Sequence, residues 1–164
     1  LAGSEKRGVE NARADLFRGA AYVLTPARRA HLEAPAARAF RQWLECFGAR
    51  VAVMDAELHD EVVAYTSHLP QLVATALAAT VLDKTQDDTL QLAGGGLRDT
   101  TRLAESPYSV WRDICLTNTG NIEQALDAML QKLDYLRENL RSRRLEHEFQ
   151  AGQKLRQRLG NTSL

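Results

Sequence analysis

Two arginines four residues apart, Arg98 and Arg102, follow directly on three consecutive glycines, Gly94 to Gly96. On a helix that spacing puts both on one face, and Asp99, three residues before Arg102, can hold its guanidinium in a fixed orientation. The glycines carry no Cβ, so another chain segment or a ligand can approach their backbone closely. Trp111 lies one helix further on, in a segment whose start is marked by Ser106 as N-cap and Pro107 in the first turn. Two planar cationic forks beside a permissive loop, with an indole nearby, suit a small, flat, doubly negative ligand. Spacing alone favours an ordinary solvated helix face for these residues, since surface ion pairs are common and weak.

A second group with chemical potential is Ser67 and His68, just before Pro70. From Asp55, a plausible N-cap with Glu57 in the first turn, apolar residues recur at three- and four-residue steps: Leu58, Val62, Tyr65, Leu69, Leu72, Val73, Ala76 and Leu77. Pro70 falls inside this helix, where it removes a backbone bond and clashes with the carbonyl of Thr66. A kink there turns Ser67 and His68 toward whatever lies at the bend. A tolerated proline with a hydrogen-bonded histidine beside it is the alternative. His59 and His68, nine residues apart, project to roughly opposite faces and fit no zinc pattern.

The elements that must position these groups fall into two parts. Residues 1–54 begin with a polar, glycine-punctuated stretch with weak helical character from Val9 to Phe17. A strand is expected at Ala20 to Thr25, a helix within Arg28 to Phe47 that Pro35 interrupts and Gly48 ends, and a second strand at Arg50 to Met54. This is one βαβ-like unit, a remnant of a doubly wound, Rossmann-like domain, and the Gly-x-Gly-x-x-Gly fingerprint occurs nowhere in the sequence. Residues 55–164 read as all-helical, so the fold class is mainly α behind a partial α/β piece. A polar connector covers Asp83 to Leu92, a long apolar stripe runs from Ile122 to Leu140, and a highly charged tail follows. Each leucine left uncovered forgoes roughly 1.5–3 kcal/mol, so the stripes call for a homodimer.

Lys and Arg number 21, as do Asp and Glu, in 164 residues. That balance gives no reason to expect nucleic acid or an anionic membrane as partner. No apolar run reaches the roughly 18–20 residues a bilayer span needs. Cys46 and Cys115 fit no metal or redox spacing, and two free thiols suit a reducing, cytoplasmic setting.

The run Gly94 to Asn118, GGGLRDTTRLAESPYSVWRDICLTN, resembles the segment of prephenate dehydrogenases that reads GGGF(K/R)D-x-TR-(I/L)-A-x-S-x-x-x-W-RDI. AGSEK at 2–6 and ADLFRGA at 14–20 are similar to two further stretches of that family, and TSHLPQL at 66–72 to its SHLPH-type motif. The resemblance runs from about Ala2 to Leu140. It implies the end of a nucleotide-binding domain followed by an all-helical dimerisation domain, and an oxidative decarboxylation of prephenate to 4-hydroxyphenylpyruvate with NAD or NADP. The cofactor would be held mainly by an N-terminal half absent from these 164 residues, and the family's catalytic histidine would fall just before Leu1. The polypeptide alone is therefore expected neither to bind NAD tightly nor to turn over substrate.

By the same resemblance, Arg102 clamps a carboxylate of prephenate or a related small dicarboxylate, oriented by Asp99, and Arg98 contributes charge. His68 lines the pocket, and Gln71 stands where the family often has a second histidine. Ser4 and Glu5 touch substrate or gate entry, Gly3 lies beside the cofactor, and Trp111 packs against the pocket, from the same or the neighbouring subunit. A neutral Gln71 favours the keto side chain of prephenate over the ammonium of arogenate. A non-catalytic helical module that binds an aromatic acid, and a 6-phosphogluconate-type dehydrogenase, are the competing readings.

Overall fold

The structure, a computed structural model, describes residues 8–86 and 89–161. In its first part β1 (Ala21–Leu24) pairs in parallel with β2 (Arg50–Val53), Ala21 opposite Arg50 and Leu24 opposite Val53. The crossover consists of a 3-10 turn (Arg29–Glu33) and α1 (Pro35–Cys46). Pro35 interrupts the apolar period because it opens the helix, where the missing N–H has no intrahelical partner to lose. Gly48 ends the crossover at φ +80°, a left-handed conformation that favours glycine, and its carbonyl accepts from Gly19 N at 2.8 Å. Phe17, Tyr22, Phe40, Trp43 and Phe47 stack around a hollow of about 270 Å³ on this unit.

Upstream, the expected helix from Val9 to Phe17 does not form. A single 3-10 turn (Val9–Asn11) is followed by irregular turns, since a short segment with Val9 88% exposed has no packed face to offset the cost of helix nucleation.

The second part is helical: α2 (Ala56–Val63), a π turn (Ala64–His68), α3 (Leu69–Lys84), α4 (Gly95–Thr101), a 3-10 turn (Arg102–Glu105), α5 (Tyr108–Thr117), α6 (Thr119–Asn139) and α7 (Glu146–Asn161). Its core is Ala64, Ile122 and Ala125, with Leu69, Leu72 and Leu126 against them. The two fully buried alanines let the π turn and the start of α6 approach closely.

Three local expectations change. Asp55 does occupy the N-cap of α2, but its side chain makes no capping bond. The helix expected from Ser106 begins at Tyr108, with extended Pro107 as the cap and Ser106 N bonded to Leu103 O. Of α2 and the π turn, Val63, Ala64 and His68 are buried, while Leu58, Val62 and Tyr65 stay exposed. The tail forms a regular but exposed helix, α7, tied to α6 by Lys132–Glu148 at 3.0 Å. No described helix is long and apolar enough to cross a membrane.

Candidate functional site

The expected kink at Pro70 takes the form of the π turn. Leu69 N reaches back five residues to Ala64 O, which opens the ladder just ahead of the ring that would clash with Thr66. The extra residue in the turn brings His68, 9% exposed, into the helical body. There its Nδ1 lies 3.3 Å from Asn118 Nδ2, and its ring meets that of Trp111 edge to face at 5.9 Å. Burial pushes the His68 imidazole below its usual range; the charge of Asp60 opposes this and His59 adds to it.

Asn118 is the residue that sequence reasoning missed. It stands where α5 ends and α6 begins, 8% exposed, and its Nδ2 donates to the carbonyl oxygen of Asp60 at 2.8 Å. Its Oδ1 accepts from Asn121 Nδ2 at 2.8 Å. The available signal was modest: an asparagine between two helical periods is a candidate cap, and nothing local points to a carbonyl 58 positions away.

Gln71, one turn beyond His68, is 4% exposed. Its Nε2 donates to Leu103 O at 2.9 Å and to Thr75 Oγ1 at 3.3 Å. The first of these bonds fastens α3 to the 3-10 turn that carries Arg102, so the amide nitrogen of Gln71 is engaged within the chain.

Arg98 and Arg102 are both exposed. The helix that carries Arg98 ends at Thr101, and Arg102 begins the tighter 3-10 turn, so the regular three-residue offset to Asp99 is lost. The expected Asp99–Arg102 pair does not form. Among the described residues, the arginine ion pairs are made by Arg13, Arg38, Arg41, Arg112 and Arg137. Trp111 packs on His68 of its own chain, half-buried, and its Nε1 is sealed from solvent without a partner among the described residues.

The glycine run is also simpler than expected. Gly94 caps α4 in an extended conformation, Gly95 and Gly96 are helical, and a Cβ at any of the three would meet nothing within 4 Å. No described segment of the chain uses the space they leave. Gly3, Ser4 and Glu5 lie outside the described residues.

The structure thus brings together His68, Asn118 and Trp111, and through Gln71 it docks the Arg102 turn against the same helix. Neither the aromatic hollow on α1 nor the leucine-lined groove of about 430 Å³ between α3 and α6 includes Arg98, Arg102 or His68. Among the described residues no three His, Cys, Asp or Glu side chains gather to hold a metal, and Cys46 and Cys115 are free. The two strand-to-helix connections, Thr25 to Arg28 and Met54 to Asp55, contain no glycine, so they do not fit the pyrophosphate of a dinucleotide.

The chain combines a short parallel βαβ unit with an all-helical body in which a π turn delivers His68, with Arg98 on α4 and Arg102 on the 3-10 turn that follows it. The family model for the prephenate dehydrogenase dimerization domain matches residues 55–155, and the chain belongs to the prephenate dehydrogenase family. Cyclohexadienyl dehydrogenase of Zymomonas mobilis is 36% identical over 163 residues, 95% of this chain and 55% of that protein. Prephenate dehydrogenase of Aquifex aeolicus, solved with hydroxyphenyl propionate and NAD+, superposes with a TM-score of 0.79 at 31% identity, covering 99% of this chain and 57% of that one. Arogenate dehydrogenase of Synechocystis gives 0.76 at 27% identity, covering 96% and 59%. The chain spans about half the length of the curated relatives it matches.

Proposed function

We propose that this chain supplies the substrate-binding and dimerising part of an NAD- or NADP-dependent dehydrogenase that oxidatively decarboxylates prephenate to 4-hydroxyphenylpyruvate, on the way to tyrosine. The dinucleotide is held mainly by residues outside these 164, as is the group that accepts the hydroxyl proton. This chain's own contribution is to hold a cyclohexadienyl dianion still. Arg102 clamps a carboxylate with Arg98 adding charge, and His68 and Trp111 form a pocket wall; by the family resemblance Ser4 and Glu5 would touch substrate or gate entry and Gly3 would serve the cofactor. The active unit is a homodimer working in the cytoplasm.

One observation carries the reading: Gln71 ties the Arg102 turn to the helix that presents His68, so the two motifs that resemble the family's pocket are mechanically one piece. A carboxylate arriving there finds an arginine not committed to any ion pair on the described residues. The charged hydrogen bond it would make is worth about 1.5–3 kcal/mol.

The test is to complete the chain with the residues of the Zymomonas mobilis relative that the match does not cover, and to follow cofactor reduction. Arg102→Ala should raise the KM for prephenate about tenfold or more. An unchanged KM removes Arg102 from the clamp. The 164-residue chain alone should show no turnover. Arogenate is the second reading, favoured by the likeness to the Synechocystis enzyme, and assaying both substrates with the completed protein decides between them.

A further inference from the structure

Asn118 has two amide protons and one amide oxygen, and all three have assigned partners. The key partner is the carbonyl oxygen of Asp60, 2.8 Å away. A carbonyl only accepts, so the atom facing it must be the NH2 group and not Oδ1. The Asn118 amide therefore cannot be turned over, and its oxygen is left to accept from Asn121. The second amide proton points at His68 Nδ1, 3.3 Å away. An imidazole nitrogen facing an N–H donor has to be the lone-pair nitrogen, which places the ring proton on Nε2. Among the described residues, Nε2 has no hydrogen-bond partner.

We propose that Asn118 is a positioning residue that locks His68 as the neutral imidazole with its proton on Nε2, presented as a hydrogen-bond donor to an acceptor oxygen of the bound anion. Two helices that meet at one asparagine set the chemistry of a third element's side chain. The π turn supplies the placement, the α5–α6 junction supplies the proton logic, and the Asp60 carbonyl fixes its sense. Asp60 and His59, from α2, are the charged and titratable groups that act on His68. His59 Nδ1 lies 2.9 Å from Asp60 Oδ1, so the Asp60 carboxylate is engaged with a neighbour on its own helix. The assignment of His68 as a donor to ligand rests on the function proposed above; the tautomer does not.

The experiment keeps these apart. Long-range 1H–15N correlation on the 164-residue chain at pH 8, with His68 assigned by Asn-independent loss of its signals in His68→Gln, reads the tautomer directly. Wild type should show Nδ1 unprotonated and Nε2 protonated, as one species. A protonated Nδ1, or the mixture of a free imidazole, overturns the proposal. Asn118→Asp replaces the donor with an acceptor, so the proton should move to Nδ1; a folded variant with the wild-type pattern overturns it too. Should that variant fail to fold by circular dichroism, Asn118→Ala substitutes for it, and His68 should then drift toward the mixture, an unchanged spectrum again being fatal. Titration with 3-(4-hydroxyphenyl)propionate reads the ligand half. Binding should weaken at least fivefold in whichever Asn118 variant folds. The expected tautomer without saturable binding to wild type overturns the donor role and leaves the lock established, whereas the functional reading stands or falls on turnover by the completed protein.

Discussion

At the scale of single residues, the buried polar side chains decide more than the exposed charged ones. His68 is held below the ordinary imidazole range by burial, so an unfolded chain takes up its proton at about pH 6.5 while the folded chain stays neutral until lower pH. The unfolded state then binds more protons across that window, and stability must fall as pH drops from about 6.5 through the folded pKa. A Tm series in wild type and His68→Gln should show the smaller acid-side loss in the variant, and parallel curves would contradict the linkage. Glu148, held low by Lys132, adds a loss at more acid pH in both proteins. Gln71 offers a sharper test. Gln71→Leu leaves the half-buried Leu103 carbonyl without its donor, which should cost about 0.5–1.5 kcal/mol in urea unfolding. The sequence made His68 and Arg102 visible because they sit in motifs. It did not reveal Asn118 or the inward commitment of Gln71, because both depend on carbonyls brought near only by the fold.

At the scale of elements, proline and glycine were legible where their constraint is local. Pro35 opens α1 and Gly48 ends its crossover for reasons contained in a few residues. Pro70 was legible as a break but not as a π turn, and the face of α2 was therefore misjudged: one inserted residue shifts which side chains point inward. If Pro70 causes that turn, Pro70→Ala restores a donor that can close the regular ladder onto Thr66. His68 should then withdraw from Asn118 in part of the population, and its titration, followed by NMR, should move up toward the ordinary range. An unchanged titration would assign the turn to its packing on α6. The glycine run makes the opposite point. Gly95 is the first residue of α4 with open space beside it, so Gly95→Ala should stabilise the chain, by less than the roughly 1 kcal/mol of a helix interior. Loss of ligand binding in that variant would show that the space is used by something other than this chain.

At the scale of the whole molecule, the apolar surface is out of proportion to the core. Among the described residues only Ala64, Ile122 and Ala125 form the buried cluster, while Leu130 at 57% and Leu133 at 47% exposed line the groove between α3 and α6. The amphipathic pattern of α6 made that stripe readable from sequence, but a pattern says which face is apolar, not what covers it. A second copy is the economical cover, since it presents the same stripe, and burying each leucine is worth roughly 1.5–3 kcal/mol. Light scattering coupled to size exclusion should therefore give a dimer for the wild-type chain. Leu133→Glu places a charge in the middle of the groove, where burial would require desolvating an unpaired carboxylate. It should give a monomer whose far-UV circular dichroism is unchanged, because Leu133 is not part of the buried cluster. A monomeric wild type at micromolar concentration, or a dimer that tolerates the glutamate, would place the subunit contact elsewhere on the molecule.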